Sequence, residues 1–299
     1  MVVENSNQCL CHRYAFSLSK AGRDEDLSKN FQYAIQCIAP DEFDKMHKFR
    51  YKEDTLASLV GRLFLRQVAK KMTGCSWDKI KFSRTDRGKP YLSSPPNTTF
   101  GMNISHQGDY VAFASSCTPN VGVDCMRLDI KRNNKTADEY ITSMAKAASV
   151  EELKVMRGQP TDAMKMTTFY RFWCLKEAVL KATGQGIINN LDSIDFRVDP
   201  SERYRHGAFI KSTTVKIDDR KAYNWMFEES FIDQHHSVAV CYDSSPPSKC
   251  KFHQNDEAKI FFSKVDLDWL LQDATIINPL DDGGKQEYVE FMSKPKKTF

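Results

Sequence analysis

Glu177 and Lys181 lie four residues apart in the stretch YRFWCLKEAVLKATGQG, residues 170–186. Residues so spaced stack one turn above the other on a helix, so a carboxylate and an ammonium share one edge. Alone, that pattern describes a solvated ion pair as well as it describes a site. Asp124, within VGVDCM, is harder to set aside. A carboxylate in an otherwise apolar strand is costly to bury unless it pairs with a cation, Arg127 or another, or binds a metal. Two carboxylates plus a diphosphate are an ordinary way to hold Mg2+, which keeps several of its waters.

Arg84, Thr85, Asp86, Arg87, Gly88 and Lys89 form a basic turn, RTDRGK. Guanidinium and ammonium groups at this density suit phosphate, and Gly88 lets a backbone approach a ligand closely. An ordinary solvated turn reads the same way. Asn103, Ile104, Ser105 and His106 stand at a strand end. Ser105 and His106 do not suit the roles of nucleophile and base, because adjacent strand residues point to opposite faces, and there is no G-x-S-x-G elbow. A hydroxyl and an imidazole at a turn are better read as phosphate donors. Cys9 and Cys11, followed by His12, suggest a metal, but no second ligand pair follows at zinc spacing, so zinc is not expected. Phe169, Phe172 and Trp173 read as core, His235 and His236 as structural. Glu228 and Glu229 either pair with the basic turn or face water.

These groups need elements to hold them. The chain has 299 residues, 41% apolar and 27% charged, enough for one large domain or two ordinary ones with a real core. A net charge of +4 favours an acidic partner and is too small to imply nucleic acid. The first residues lack a signal-peptide pattern, and no apolar run nears the roughly 20 residues that cross a bilayer. The nine cysteines are odd in number and scattered, which suits reduced thiols. A cytoplasmic protein with no nucleic-acid or membrane partner is expected.

Apolar periodicity predicts a helix over 41–73 with Leu56, Leu59, Val60, Leu63 and Met72 as its stripe and Gly74 as its stop. A strand follows at 79–82, then a hairpin, 100–105 and 110–115, and a third strand at 121–126. Helices are predicted at 137–156 and, most strongly, at 162–183, where Phe172, Leu175, Val179 and Ala182 share a face and Gly184 ends the run. Strands are read at 194–198, 208–217, 223–228 and 237–242. The order long helix, strands, polar turn, apolar strand occurs twice, ending in HQGDYVAFAS and in QHHSVAVCYD. The expectation is an α/β (α+β) fold of two pseudo-symmetric lobes. Each is a small, mostly antiparallel sheet packed on a long helix, with the active site in the cleft between. The N-terminal lobe is taken as 1–118, the C-terminal lobe as 119–245, and 246–299 as a peripheral extension.

FRYKEDTLASLVGRLFLR, RTDRGKPYL, FGMNISHQGDYVAFA, VGVDCM, FYRFWCLKEAVLKATGQG and WMFEESFIDQHHSVAV occur in this order over about residues 45–242. By these motifs the chain resembles the 4′-phosphopantetheinyl transferases of the large, two-lobed Sfp type. The pairing of G-x-D with W-x-x-K-E-x-x-x-K is the specific part. The resemblance implies transfer of phosphopantetheine from coenzyme A to a serine of an apo carrier protein, of acyl, peptidyl or aminoadipate type. It implies Mg2+ as cofactor and adenosine 3′,5′-bisphosphate as the other product; a monomer is expected. Carried over by position, Asp124 and Glu177 are the Mg2+ ligands, Lys181 reaches the diphosphate, and Glu177 is the candidate base. Arg84, Thr85, Asp86, Arg87, Gly88 and Lys89, with Asn103, Ile104, Ser105 and His106, are the coenzyme A contacts alongside Glu177 and Lys181. Lys45 falls where the family keeps a basic residue for the 3′-phosphate. Many bacterial members read G-x-D-x-E. Here that second acid is Met126, on the same strand face as Asp124, so one metal ligand is replaced by water. A coenzyme A-dependent acyltransferase is disfavoured, since His106 and Asp109 fall one residue short of the His-x-x-x-Asp spacing.

Overall fold

A computed structural model describes residues 9–186, 190–222, 224–244 and 262–297, and the chain is mixed α/β throughout them. The first half runs β1 (Arg13–Ser17), α1 (Leu18–Ala21), α2 (Leu27–Gln36), α3 (Pro40–His47) and α4 (Lys52–Thr73). Two hairpins follow, β2 (Lys81–Arg84) with β3 (Pro90–Ser94), and β4 (Gly101–Gln107) with β5 (Tyr110–Ser116). The second half opens with β6 (Val121–Arg127), α5 (Ala137–Ser143), α6 (Val150–Arg157) and α7 (Asp162–Thr183). It continues through β7 (Ile194–Arg197), β8 (Thr214–Ile217), β9 (Arg220–Lys221), β10 (Trp225–Asp233) and β11 (His236–Asp243). The chain then returns to the first half with β12 (Ser263–Val265), α8 (Leu267–Leu271) and α9 (Lys285–Ser293).

Two sheets face each other between the two long helices. One has the order β12-β1-β5-β4, with β1 and β12 parallel; the other is β10-β11-β6. The period-two rule of strands sorts their side chains. Val111 and Phe113 of β5 turn towards α4 and join Leu59, Val60, Leu63 and Phe64 in the first core. Ala112 and Ala114 turn the other way and meet Val121, Val123 and Cys125 of β6 in an apolar layer between the sheets. The α7 stripe, Phe172, Leu175, Val179 and Ala182, packs on Phe227, Ala239 and Cys241 in a third core. The layers therefore run helix, sheet, sheet, helix. Gly74 and Gly184 end α4 and α7 in the left-handed conformation, at φ 69° and 67°, where glycine meets no Cβ penalty.

Two expected helices are broken. The run 41–73 splits at residues 48–51, and the partners of the break come from the other end of the chain. Lys294 Nζ donates to the carbonyls of His47 (2.7 Å) and Phe49 (2.6 Å), and Lys52 N–H donates to Pro295 O (3.1 Å). Orphaned end groups of α3 and α4 are satisfied from a segment over 240 positions away in sequence. The run 137–156 splits at Ser149, whose hydroxyl accepts from Glu152 N–H while the Glu152 carboxylate accepts from Ser149 N–H, a capping box visible as S-x-x-E. The strand expected over 208–217 contracts to β8, with Ile210 making a single bridge to Glu229. Residue 223, at the start of another expected strand, lies outside the described residues.

The expectation that 246–299 is peripheral fails for residues 262–297; 246–261, 298 and 299 lie outside the described residues. Leu267, Leu270 and Phe291 are buried in the first core. Trp269 packs on Tyr14 at 4.7 Å between ring centroids, and Gln36 donates to Gly283 O and accepts from Leu280 N–H. Leu270→Ala should therefore cost about 2–4 kcal/mol in urea-unfolding free energy. A change within about 0.5 kcal/mol, usual for a surface site, would show that the segment does not complete the core.

Candidate active site

The site begins with a missing side chain. A Cβ on Gly122 of β6 would lie 2.0 Å from Ala178 O and 2.5 Å from Ala182 N, so glycine lets the backbone of α7 touch the strand. Two residues on, on the same face, stands Asp124. Lys181 Nζ donates to Asp124 Oδ1 (2.7 Å), Ser105 Oγ (2.8 Å) and Val123 O (3.1 Å), using all three of its protons. Ser105 Oγ donates to the same Asp124 Oδ1 at 2.8 Å. Asp124 is buried and its ionic partner is Lys181, not Arg127. Its other oxygen, Oδ2, is buried with no hydrogen-bond partner.

Glu177, half-buried one turn before Lys181, lines the same groove of about 360 Å³ as Asp124, His106, Met126 and Trp173. Burial, and then the charge of Asp124, raise the Glu177 pKa, with Lys181 pulling it back. Burial opposes the Lys181 ammonium, but the charge of Asp124 and its hydrogen bond outweigh burial and hold the Lys181 pKa above the ordinary value.

The second half meets the first through side chains. Asn103 Oδ1 accepts from Val123 N–H (3.0 Å), Ser105 Oγ from Cys125 N–H (3.4 Å), and Gln107 Oε1 from Arg127 N–H. Alternate residues of β4 thus satisfy alternate amides on the edge of β6, groups that would otherwise be orphaned. This divides the four residues expected to contact coenzyme A. Asn103 is buried, bonded inward and absent from the groove's lining; Ile104, Ser105 and His106 all line the groove, Ser105 buried, Ile104 also packed towards α4, and His106 alone of the four exposed.

The basic turn is the β2–β3 hairpin. Thr85 N–H donates to Lys89 O, Gly88 N–H to Thr85 O, and Arg84 Nη1 to Gly88 O. Gly88 has φ 84°, and Arg84, Asp86 and Arg87 are exposed. Lys89 reaches across to Ala182 O at 2.6 Å, a cation at the negative end of α7, and burial lowers its pKa. The hairpin is thereby tied to the helix that carries Glu177 and Lys181. Arg62 of α4, not singled out in the sequence, extends this basic surface: after burial and the acid Glu42, Arg84 is among the charges that set its pKa, which is lowered. Lys45 is exposed on α3, in an ion pair with Asp41 (2.9 Å), and is not among the groove's lining residues.

Other readings change with the geometry. Trp173 is half-buried: it packs against the core around α7 as expected, stacked on Phe169 at 5.9 Å, and also lines the groove. Glu228 and Glu229 neither face water nor pair with the basic turn. Each is buried against a guanidinium, Glu228 with Arg13 (2.8 Å) and Glu229 with Arg171 (2.6 Å). His236 is a structural residue, held by Asp233 and accepting from Asp109 N–H.

Residues 25–118 match the family model described as 4′-phosphopantetheinyl transferase, N-terminal, and residues 120–241 that of the 4′-phosphopantetheinyl transferase superfamily. A Xenopus laevis L-aminoadipate-semialdehyde dehydrogenase-phosphopantetheinyl transferase is 31% identical over 88% of this chain and 87% of its own. The chain belongs to the 4′-phosphopantetheinyl transferase superfamily. Its human relative of the same name is 33% identical over 69% of this chain and 67% of the relative. A Bacillus subtilis 4′-phosphopantetheinyl transferase is 30% identical over 55% and 68%. The phosphopantetheinyl transferase thus combines two facing sheets, each backed by a long helix, with a groove at the junction of β4, β6 and α7. Among the described residues no helix is long and apolar enough to cross a membrane.

The seating of α7 is testable at two glycines. Gly122→Ala should lose at least about 2 kcal/mol of unfolding free energy, as overpacked cores do, and most transferase activity. Gly61→Ala, in α4, places its methyl 3.6 Å from Ile104 and should gain about 0.4–1 kcal/mol from the less flexible unfolded chain. Equal stability of the two variants would show that α7 does not touch β6 at Gly122.

Proposed function

We propose that this enzyme transfers 4′-phosphopantetheine from coenzyme A to a serine hydroxyl of an apo carrier protein or carrier domain, with Mg2+, releasing adenosine 3′,5′-bisphosphate. The observation that carries the reading is the buried, unpartnered Oδ2 of Asp124, in a groove that Glu177 and Lys181 also line, with the basic hairpin tied through Lys89 to Ala182 O next to Lys181. A carboxylate oxygen without a donor is costly to bury, and a hard cation is the partner such an oxygen fits. Asp124 and Glu177 would hold Mg2+, and Met126, a soft thioether, leaves the third position to water. Bound there, Mg2+ would act as Lewis acid on the phosphate oxygens and as template for the diphosphate.

The chain's own groups divide the remaining work. Arg84, Arg87 and Lys89 supply cationic donors for the phosphates. His106, at the groove, offers a ring N–H. Lys181 pairs with Asp124 Oδ1 and, by releasing one of its three bonds, can donate to the diphosphate. The serine oxygen attacks the phosphorus next to pantetheine in line. A new P–O bond forms as the bond to the bridging oxygen breaks, and the leaving bisphosphate takes the electron pair. Lys181 steadies that charge. Glu177 accepts the serine proton.

The net charge of +4 and the basic hairpin suit carriers with an acidic surface. The names of the animal relatives support carrier domains of the aminoadipate type among them. A monomer acting in the cytoplasm agrees with this reading.

Incubation of an apo carrier protein with coenzyme A and Mg2+ should give a serine adduct of one phosphopantetheine by mass spectrometry; an acyl adduct, or none, refutes the proposal. Glu177→Gln should lower turnover ~10²–10⁴-fold with only a modest loss of coenzyme A affinity. A turnover equal to the parent's would exclude Glu177 as base and as essential ligand. Before Mg2+ binds, burial and the charge of Asp124 hold the Glu177 pKa above the ordinary glutamate value, so carboxyl NMR of the metal-free protein should show it titrating above that value, and Mg2+ should lower it. A metal-free titration at or below the ordinary value would argue against this setting of Glu177.

A further inference from the structure

We propose that Cys9, Cys11 and Cys117 form a binding site for one thiophilic d10 cation, Zn2+ or Cu+, separate from the carboxylate groove. The sequence shows only the Cys9–Cys11 pair and no partner at zinc spacing, because the third cysteine arrives from 106 positions away. The segment 9–12 runs along the end of β5, and the three Sγ atoms come within 4.8 Å of one another. Cys11 and Cys117 approach to 3.7 Å between sulfurs. A metal–sulfur bond of about 2.3 Å places sulfurs about 3.8 Å apart around a tetrahedral ion and about 4.0 Å apart around a trigonal one. The cluster therefore needs sub-ångström adjustment to close on a cation.

The surroundings are built as a thiolate site is built. Leu10 N–H donates to Cys117 Sγ at 3.3 Å, the kind of contact that orients a ligand sulfur and supports its charge. Ser115 fixes the segment on both sides: its Oγ donates to Leu10 O (2.6 Å) and accepts from His12 N–H (3.0 Å). Cys11 and Cys117 are buried and Cys9 is half-exposed, which gives the ion an entry on one side. His12 is engaged elsewhere, stacked on Tyr14 at 5.5 Å with its Nδ1 3.3 Å from the Tyr14 hydroxyl. The protein thus offers three sulfurs, a full set for trigonal Cu+ and three of four for Zn2+, whose last position falls to water. As the cation binds, each thiol releases its proton to solvent. The buried guanidinium of Arg13, two residues from Cys11, offsets part of the remaining negative charge.

Mg2+ does not compete for this site, since thiolates are poor ligands for it. A disulfide would use two sulfurs at about 2.05 Å and leave the third without a role. The site also stands away from the groove. Ser116, beside Cys117, pairs with Gly101, whereas Ser105 pairs with Ala112, four strand residues or ~13 Å along β4.

The test is a titration of the reduced, full-length protein with Co2+ as the spectroscopic stand-in. A near-ultraviolet sulfur-to-cobalt charge-transfer band should grow and saturate at one equivalent. Zn2+ and, under anaerobic conditions, Cu+ are added in separate arms, and the one that displaces Co2+ at the lower concentration identifies the preferred ion. Cys11→Ser and Cys117→Ser should lose the band and keep transferase activity, and Cys75→Ser should keep both. No charge-transfer band in the wild-type protein overturns the proposal, whether or not the variants fold. So does a band that survives in Cys117→Ser, or a Cys11–Cys117 disulfide found by mass spectrometry in place of metal uptake.

Discussion

The close approach of α7 to β6 across Gly122 sets everything polar in the groove. Helix and strand backbones in contact leave no room for a side chain between them, so the next residues outward, Asp124 and Lys181, are brought within 2.7 Å. Stripping water from Asp124 would be prohibitive alone. Lys181, Ser105 and the geometry of β4 make it tolerable, but only for one of its two oxygens. The other oxygen is left without a partner, in a groove that a half-buried glutamate and Lys181 also line. That imbalance is what a hard cation and a diphosphate would resolve, and the W-x-x-K-E-x-x-x-K and G-x-D motifs are two sides of the same contact.

The remaining buried charges fix how the parts of the molecule register. Glu228 and Glu229 are adjacent on β10 and point to opposite faces. One reaches Arg13 on β1 and the other Arg171 on α7. A third pair joins Lys176 to Glu152 at 2.8 Å, so the lysine and glutamate of the K-E motif part company, Lys176 inward and Glu177 into the groove. Pairs of this kind add little net stability over apolar residues of the same shape. They do make alternatives costly: a one-residue slip of β10 would exchange its faces and bury at least one of the two acids without its cation. Arg13 lies two residues from Cys11, so one end of β1 carries both the tie to the second half and the sulfur cluster.

What the sequence makes legible is what depends on neighbours along the chain. The boundaries 162–183 of α7 follow from a stripe of apolar residues and a terminal glycine, and the hairpins from turns between apolar runs. Asp124 and Glu177 are legible as oddities, carboxylates in places where burial is costly, and the groove holds both. What is not legible depends on distant partners. The break between α3 and α4 is stabilised by Lys294 and Pro295. Asn103 and Ser105 look like ligand donors until β6 takes their hydrogen bonds. Glu228 and Glu229 look like surface acids until Arg13 and Arg171 arrive. Trp173 follows burial habit in its type but stands on the flank of α7 that faces Glu177. The Ser149 capping box is the exception, a local signal present in the sequence and outweighed by the apolar pattern around it.

The return of the chain's last described segment has a consequence for how the molecule is made. β1 acquires its parallel neighbour, and Gln36 its hydrogen-bond partners, from residues 241 to 249 positions downstream of the groups they satisfy. The second half is contiguous and can mature as its residues leave the ribosome, whereas the first waits with Phe31, Phe64 and Tyr14 uncovered until residues 262–297 have been made. Of the two halves, the one made first is thus the last to close, and it is there that a chaperone would find its grip.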